Sequence, residues 1–81
     1  MKHIDTVKLI LSDSLGVPTA HLHADSLLLG SVPELDSMAV MGVIAALEVH
    51  FGIAVEDDDI SPRRFATVGS LAALVQEKLA P

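Results

Sequence analysis

The run Asp36-Ser37-Met38-Ala39-Val40-Met41-Gly42-Val43-Ile44-Ala45-Ala46-Leu47-Glu48-Val49-His50-Phe51-Gly52 decides the fold. Its apolar residues recur at three- and four-residue steps, the period of a helix and not of a strand. Asp36 is the residue type that caps a helix start, and Gly52 the type that closes a helix end. The spacing therefore predicts a helix from about Ser37 to Phe51. Val40, Val43, Ile44, Leu47 and Phe51 form its inward stripe. The opposite face carries Met38, Ala39, Met41, Gly42, Ala45, Glu48 and Val49, and is far less polar than a surface helix normally is. Such a face is either covered by the rest of the domain or left free for docking.

Outward from this helix, the same periodicity appears twice more. From about His3 to Leu15, residues Ile4, Val7, Ile10, Leu11 and Leu15 form one apolar stripe, with Gly16 as its stop and Pro18 beyond. After Thr67, a natural N-cap, Val68, Leu71, Leu74, Val75 and Leu79 form the stripe of a last helix. Between them Ser61-Pro62-Arg63-Arg64-Phe65 predicts a short helix, with Ser61 capping and Pro62 in the first turn. Residues 17–36 contain Pro18, Gly30 and Pro33 and lose all period. Leu22 and the run Leu27-Leu28-Leu29 are expected to pin this stretch as an ordered crossover. The expectation is one all-α domain over residues 1–81, a small irregular four-helix bundle of three main helices and one short one.

At 81 residues with no cysteine, the chain offers no disulfide, thiolate or cysteine-held zinc. This is compatible with a reducing cytoplasm, the location we expect. Residues Met1–Leu15 do not read as a signal peptide, and no apolar run is long enough to span a bilayer. The net charge of −6 is unevenly placed: between Leu9 and Pro62 there is no lysine or arginine, against nine acidic residues. That stretch repels phosphate backbones and anionic lipid, so nucleic-acid binding and stable membrane insertion are not expected. A helix-turn-helix reader fails for the same reason, because its second helix would need basic residues. A basic patch on a protein partner is the natural complement. Only Phe51 and Phe65 are aromatic, so the interior is built from Leu, Ile, Val, Met and Ala.

Few residues suggest chemistry. Ser37 lies where a non-helical stretch meets a helix start, at the positive end of the helix dipole and suited to bearing a phosphate. The bland reading is that serine is common at helix starts because it caps. Ser37 lacks the flanking glycines of a Gly-x-Ser-x-Gly elbow, and a bundle this small leaves little room for a substrate pocket. A non-catalytic role is expected. His21-x-His23 lacks a matched third ligand, and Glu56-Asp57-Asp58-Asp59 lacks the alternating ligands, central Gly and late Glu of an EF-hand loop. No metal site is expected.

Asp36-Ser37-Met38, followed by the apolar helix with Leu47-Glu48 and Phe51-Gly52, resembles the acyl carrier proteins. Val7, Leu15-Gly16-Val17 and Thr67-Val68 with Leu71 occur in the family's order and spacing, so the resemblance covers nearly the whole chain. It implies a 4′-phosphopantetheine arm, transferred from coenzyme A to Ser37 by a phosphopantetheinyl transferase, with acyl groups carried on its thiol as thioesters. It implies that Asp36 helps the transferase recognise the site. It also implies a monomer whose second helix meets acyl-loading, elongating or acyl-transferring enzymes, with Met38, Met41, Gly42, Ala45 and Glu48 as the meeting face. Acyl chains in the family also tuck into the bundle. Two departures stand out: Met38 replaces the family's usual Leu, and Ala39, Gly42 and Val49 stand where many fatty-acid carriers bear acids. The resemblance implies service in fatty-acid, polyketide or related biosynthesis, and these departures set a dedicated polyketide, lipid-modification or other specialised carrier beside the housekeeping fatty-acid one. The Gly-Gly-His-Ser pattern of peptidyl carriers is absent. The alternative reading is an unmodified helical adaptor that binds a protein through the apolar helix face.

Overall fold

A computed structural model describes residues 3–28 and 35–80. Three α-helices form, α1 (Ile4–Leu15), α2 (Ser37–Phe51) and α3 (Val68–Leu79), with a 3₁₀ turn, η1, at Asp57–Asp59. The limits of α1 and α2 follow the apolar periodicity and its punctuation. Gly16 and Gly52 end them with φ of 70° and 66°, the left-handed region that glycine enters without steric penalty. Their amides donate to the carbonyls of Ser12 and Glu48, at 2.8 and 2.9 Å. α3 starts with a reciprocal cap: Thr67 Oγ1 accepts from the Ser70 amide, and Ser70 Oγ accepts from the Thr67 amide, both at 3.0 Å.

The stripes meet in one core. Val7, Ile10 and Leu11 of α1, Val43, Ile44 and Leu47 of α2, and Val68, Leu71, Ala72, Leu74 and Val75 of α3 are buried together with Leu28, Leu35 and Phe65. Ile4, Leu15, Val40 and Phe51 pack against its edge. At one end His3 takes a left-handed φ of 71°. Its ring meets Phe51 edge-on at 5.3 Å, and its Nε2 lies 3.1 Å from Gln76 Oε1. Residues flanking α1, ending α2 and lying within α3 are thus tied together.

Long-range hydrogen bonds hold residues 24–28 of the crossover to the start of α3. Leu28 N donates to Ala66 O, Val68 N to Ser26 O, and Gly69 N to Ala24 O at 2.8 Å. Thr19 is buried and donates to Lys8 O at 2.7 Å, anchoring the first turn of the crossover to α1. Of the leucine run, Leu28 is buried and Leu27 is 61% exposed. Leu27 forms an isolated bridge with Thr67, so backbone pairing and not its side chain holds that residue. Leu29, Gly30, Pro33 and Glu34 lie outside the described residues.

The short helix expected over Ser61–Phe65 is a capped turn. Phe65 N donates to Ser61 O at 3.3 Å and Arg64 N to Ser61 Oγ at 3.4 Å. The turn does not propagate because Thr67 must be extended, with φ −136° and ψ 165°, to cap α3. Ser70 Oγ, 2.8 Å from Arg64 O, takes that carbonyl as well. The 3₁₀ turn falls instead on the acidic run before it, where Asp59 Oδ2 accepts from the Glu56 amide at 3.0 Å. Among the described residues the architecture is therefore three helices and one 3₁₀ turn.

Candidate functional site at the start of α2

Asp36 builds the site. Its backbone is extended, with φ −96° and ψ −177°, which turns the chain into α2. Its Oδ1 accepts from the Ala39 amide at 2.8 Å, and its carbonyl accepts from the Val40 amide at 2.9 Å. Ser37 is thereby fixed as the first residue of α2, although its side chain lies outside the described part of the structure. The Met38 amide has no acceptor among the described residues, and the first turn contains no acidic side chain. An anion at this end meets the positive end of a four-turn helix. Among the described residues, the opposing charge at this end is the Asp36 carboxylate, which already accepts from Ala39.

Beside this start runs an apolar groove of about 450 Å³. Leu35, Asp36, Val40 and Met41 line one side, and Ile60, Ser61, Pro62 and Phe65 the other. Leu35 and Phe65 are buried residues that give both walls a fixed base. Leu35, Ile60, Pro62 and Phe65 were not among the residues expected from sequence to matter. The available signal was Phe65, one of two aromatics, close behind a proline, but nothing local says which helix it faces.

Met38 and Val49 are 85% and 86% exposed and Met41 57%, and Gly42 and Ala45 are exposed with them. At steps of three and four residues, these five share one stripe of α2, running away from Ser37. A Cβ placed on Gly42 would meet nothing within 4 Å. Glu48 is different. It is half-buried, and its Oε2 accepts from the Val55 amide at 2.9 Å, so its carboxylate organises the turn that leaves α2.

The far wall of the groove is tied to α3 by two ion pairs. Asp59 Oδ2 lies 2.6 Å from Lys78 Nζ, and Arg64 Nη2 lies 2.7 Å from Glu77 Oε2. The hydrogen bond from Lys78, with a smaller one from the Glu56 backbone, holds the Asp59 carboxyl below its ordinary pKa of 3.8. The same hydrogen bond raises Lys78 above 10.5. His21 and His23 are exposed on the crossover, and no group of three metal-ligating side chains gathers among the described residues. Among those residues no helix is long and apolar enough to cross a membrane.

The family model described as the phosphopantetheine attachment site matches residues 5–75. A holo acyl carrier protein from Nitrosomonas europaea, solved by solution NMR, is 52% identical over 98% of each chain, with a TM-score of 0.90. A holo acyl carrier protein from Geobacter metallireducens is 26% identical over 98% of this chain and 87% of its own, with a TM-score of 0.80. No curated relative matches. Fold and site define a helical carrier scaffold with a serine at a capped helix start. The chain belongs to the acyl carrier protein family, and its prosthetic group is a covalently bound phosphopantetheine. The residues at the start of α2 fit that group: a capped helix start, the helix dipole and an apolar groove alongside.

Proposed function

We propose that Ser37 carries the 4′-phosphopantetheine arm and that the protein shuttles acyl groups among the enzymes of fatty-acid, polyketide or related biosynthesis, a dedicated specialised pathway included. When bound, the arm supplies a thiol that holds acyl groups as thioesters, chemistry that the cysteine-free chain lacks. Asp36 presents Ser37 by capping α2, and the positive end of the helix dipole stabilises the phosphodiester charge. The observation that carries this reading is the Asp36 cap, 2.8 Å from the Ala39 amide, at the start of a helix whose first turn holds no competing acid. A phosphopantetheinyl transferase loads the arm.

The protein works as a monomer in the cytoplasm. Partner enzymes meet α2 through Met38, Met41, Gly42 and Ala45, with Glu48 contributing through the part of its carboxylate not held by Val55. A face of this composition favours apolar docking over charge-steered docking. It is supported by the exposure of both methionines and by the absence of free acids along the stripe.

Intact mass after incubation with coenzyme A and a phosphopantetheinyl transferase tests the attachment. The expected result is a gain of one phosphopantetheinyl group that Ser37→Ala abolishes. No gain, or a gain that survives the substitution, refutes it. The exposed methionine stripe also suits an unmodified adaptor. In that case Ser37→Ala would leave biological activity intact while Met41→Glu abolished it.

A further inference from the structure

The wall of the groove formed by Ile60, Ser61 and Pro62 is held unevenly. Toward α2 it faces Leu35, Val40 and Met41 across open space, with no hydrogen bond to residues 35–41 among the described residues. Its own backbone offers only η1 and the Ser61 turn. On the α3 side two ion pairs stand beside the neutral hydrogen bond from Ser70 Oγ to Arg64 O. Asp59 and Arg64 bracket the wall, and both reach adjacent residues near the end of α3, Lys78 at 2.6 Å and Glu77 at 2.7 Å. The pairs run in opposite polarity, anion to cation and cation to anion. Swapping partners would therefore place Arg64 against Lys78 and Asp59 against Glu77, so only one register of the wall on α3 is favoured.

From this placement we propose that Asp59–Lys78 and Arg64–Glu77 form a two-point clasp that sets how far the groove beside Ser37 stands open. Neither pair reinforces the central core, which is apolar and built from other residues. Ion pairs at a protein surface are weak against global unfolding. They matter more for a segment with little regular structure, whose local opening is small in free energy. The clasp is also screened by salt, whereas the buried Phe65 at its base is not. Raising the ionic strength should therefore free the wall before it loosens the bundle.

Hydrogen exchange of the full chain, followed by mass spectrometry, tests this in the wild type, Arg64→Gln, Lys78→Gln and the double variant. The expected result is roughly two- to fivefold faster exchange per single substitution across residues 57–66, with α1 unchanged. Salt should accelerate the same segment in the wild type and have little further effect in the double variant. Unchanged exchange in this segment, or equal acceleration everywhere, overturns the proposal. The significance of the groove rests on attachment at Ser37. A second arm therefore compares the rate at which hydroxylamine cleaves an octanoyl thioester on the loaded protein. Faster cleavage in the double variant is expected, and equal cleavage despite faster exchange would reduce the clasp to a brace. Failure to load the arm would count against Ser37 attachment, leaving the exchange result to decide the clasp.

Discussion

Gly69 lies in the first turn of α3, where substitution by alanine would ordinarily help. Replacing an exposed helical glycine by alanine gains up to about 1 kcal/mol. Here a Cβ would stand 2.8 Å from the carbonyl oxygen of Ala24, which already accepts the Gly69 amide at 2.8 Å. That carbonyl cannot simply retreat, because Val68 N to Ser26 O and Leu28 N to Ala66 O fix the adjoining crossover. Relief requires stretching one backbone hydrogen bond, worth about 1 kcal/mol, and overpacking a closed contact, at about 1–3 kcal/mol. Gly69→Ala should therefore destabilise the protein by a net of about 1–3 kcal/mol. Gly42→Ala, with nothing within 4 Å of the new Cβ, should stabilise it by up to about 1 kcal/mol. For a domain of this size each kcal/mol moves Tm by roughly 4–8 °C. Thermal and urea unfolding followed by circular dichroism would separate the two variants clearly. Gly69→Ala at or above wild-type stability would refute the close approach of crossover and α3.

Asp36→Ala should cost about 1 kcal/mol through loss of the cap, whereas Asp36→Asn should keep most of that stability. If the charge itself aids the transferase, Asp36→Asn will still be loaded more slowly, read as the rate of mass gain. Glu48→Ala strands the half-buried Val55 amide and should destabilise by about 1–3 kcal/mol in urea; an unchanged midpoint would show that solvent satisfies that amide. The lowered pKa of Asp59 makes its contribution complete above pH 3.8, the ordinary value, and lost as pH falls through its lower folded value. Lys78, raised above 10.5, contributes below that pH and loses its contribution as pH climbs through its folded value. A carbon-detected titration should show the Asp59 midpoint moving up toward 3.8 in Lys78→Gln.

What was legible in the chain was its local chemistry. The span of α2, its Asp36 cap and the Gly52 stop follow from short-range rules, because capping and apolar periodicity act within a few residues. The position of Ser37 at the helix start follows from the same rules, and so does the membership of most of the core. The Ser61–Phe65 segment shows their limit. Its local signals favour a helix, and the competing need of Thr67 to cap α3 confines it to a turn.

The sequence by itself determined three helices, two amphipathic and one apolar on both faces, their caps, an acid-rich surface and a serine at the start of the most apolar helix. Only the tertiary structure decided which neighbours these elements meet. It buried Leu28 and left Leu27 out, turned Glu48 toward Val55, and demanded glycine at position 69. It also joined Asp59 and Arg64 to α3, and set Phe65 across a groove from Val40. The physical reason is one of range. A cap or an apolar stripe is encoded by neighbours three or four residues apart, whereas a groove, a backbone close approach or an ion pair exists only once distant segments have been packed together.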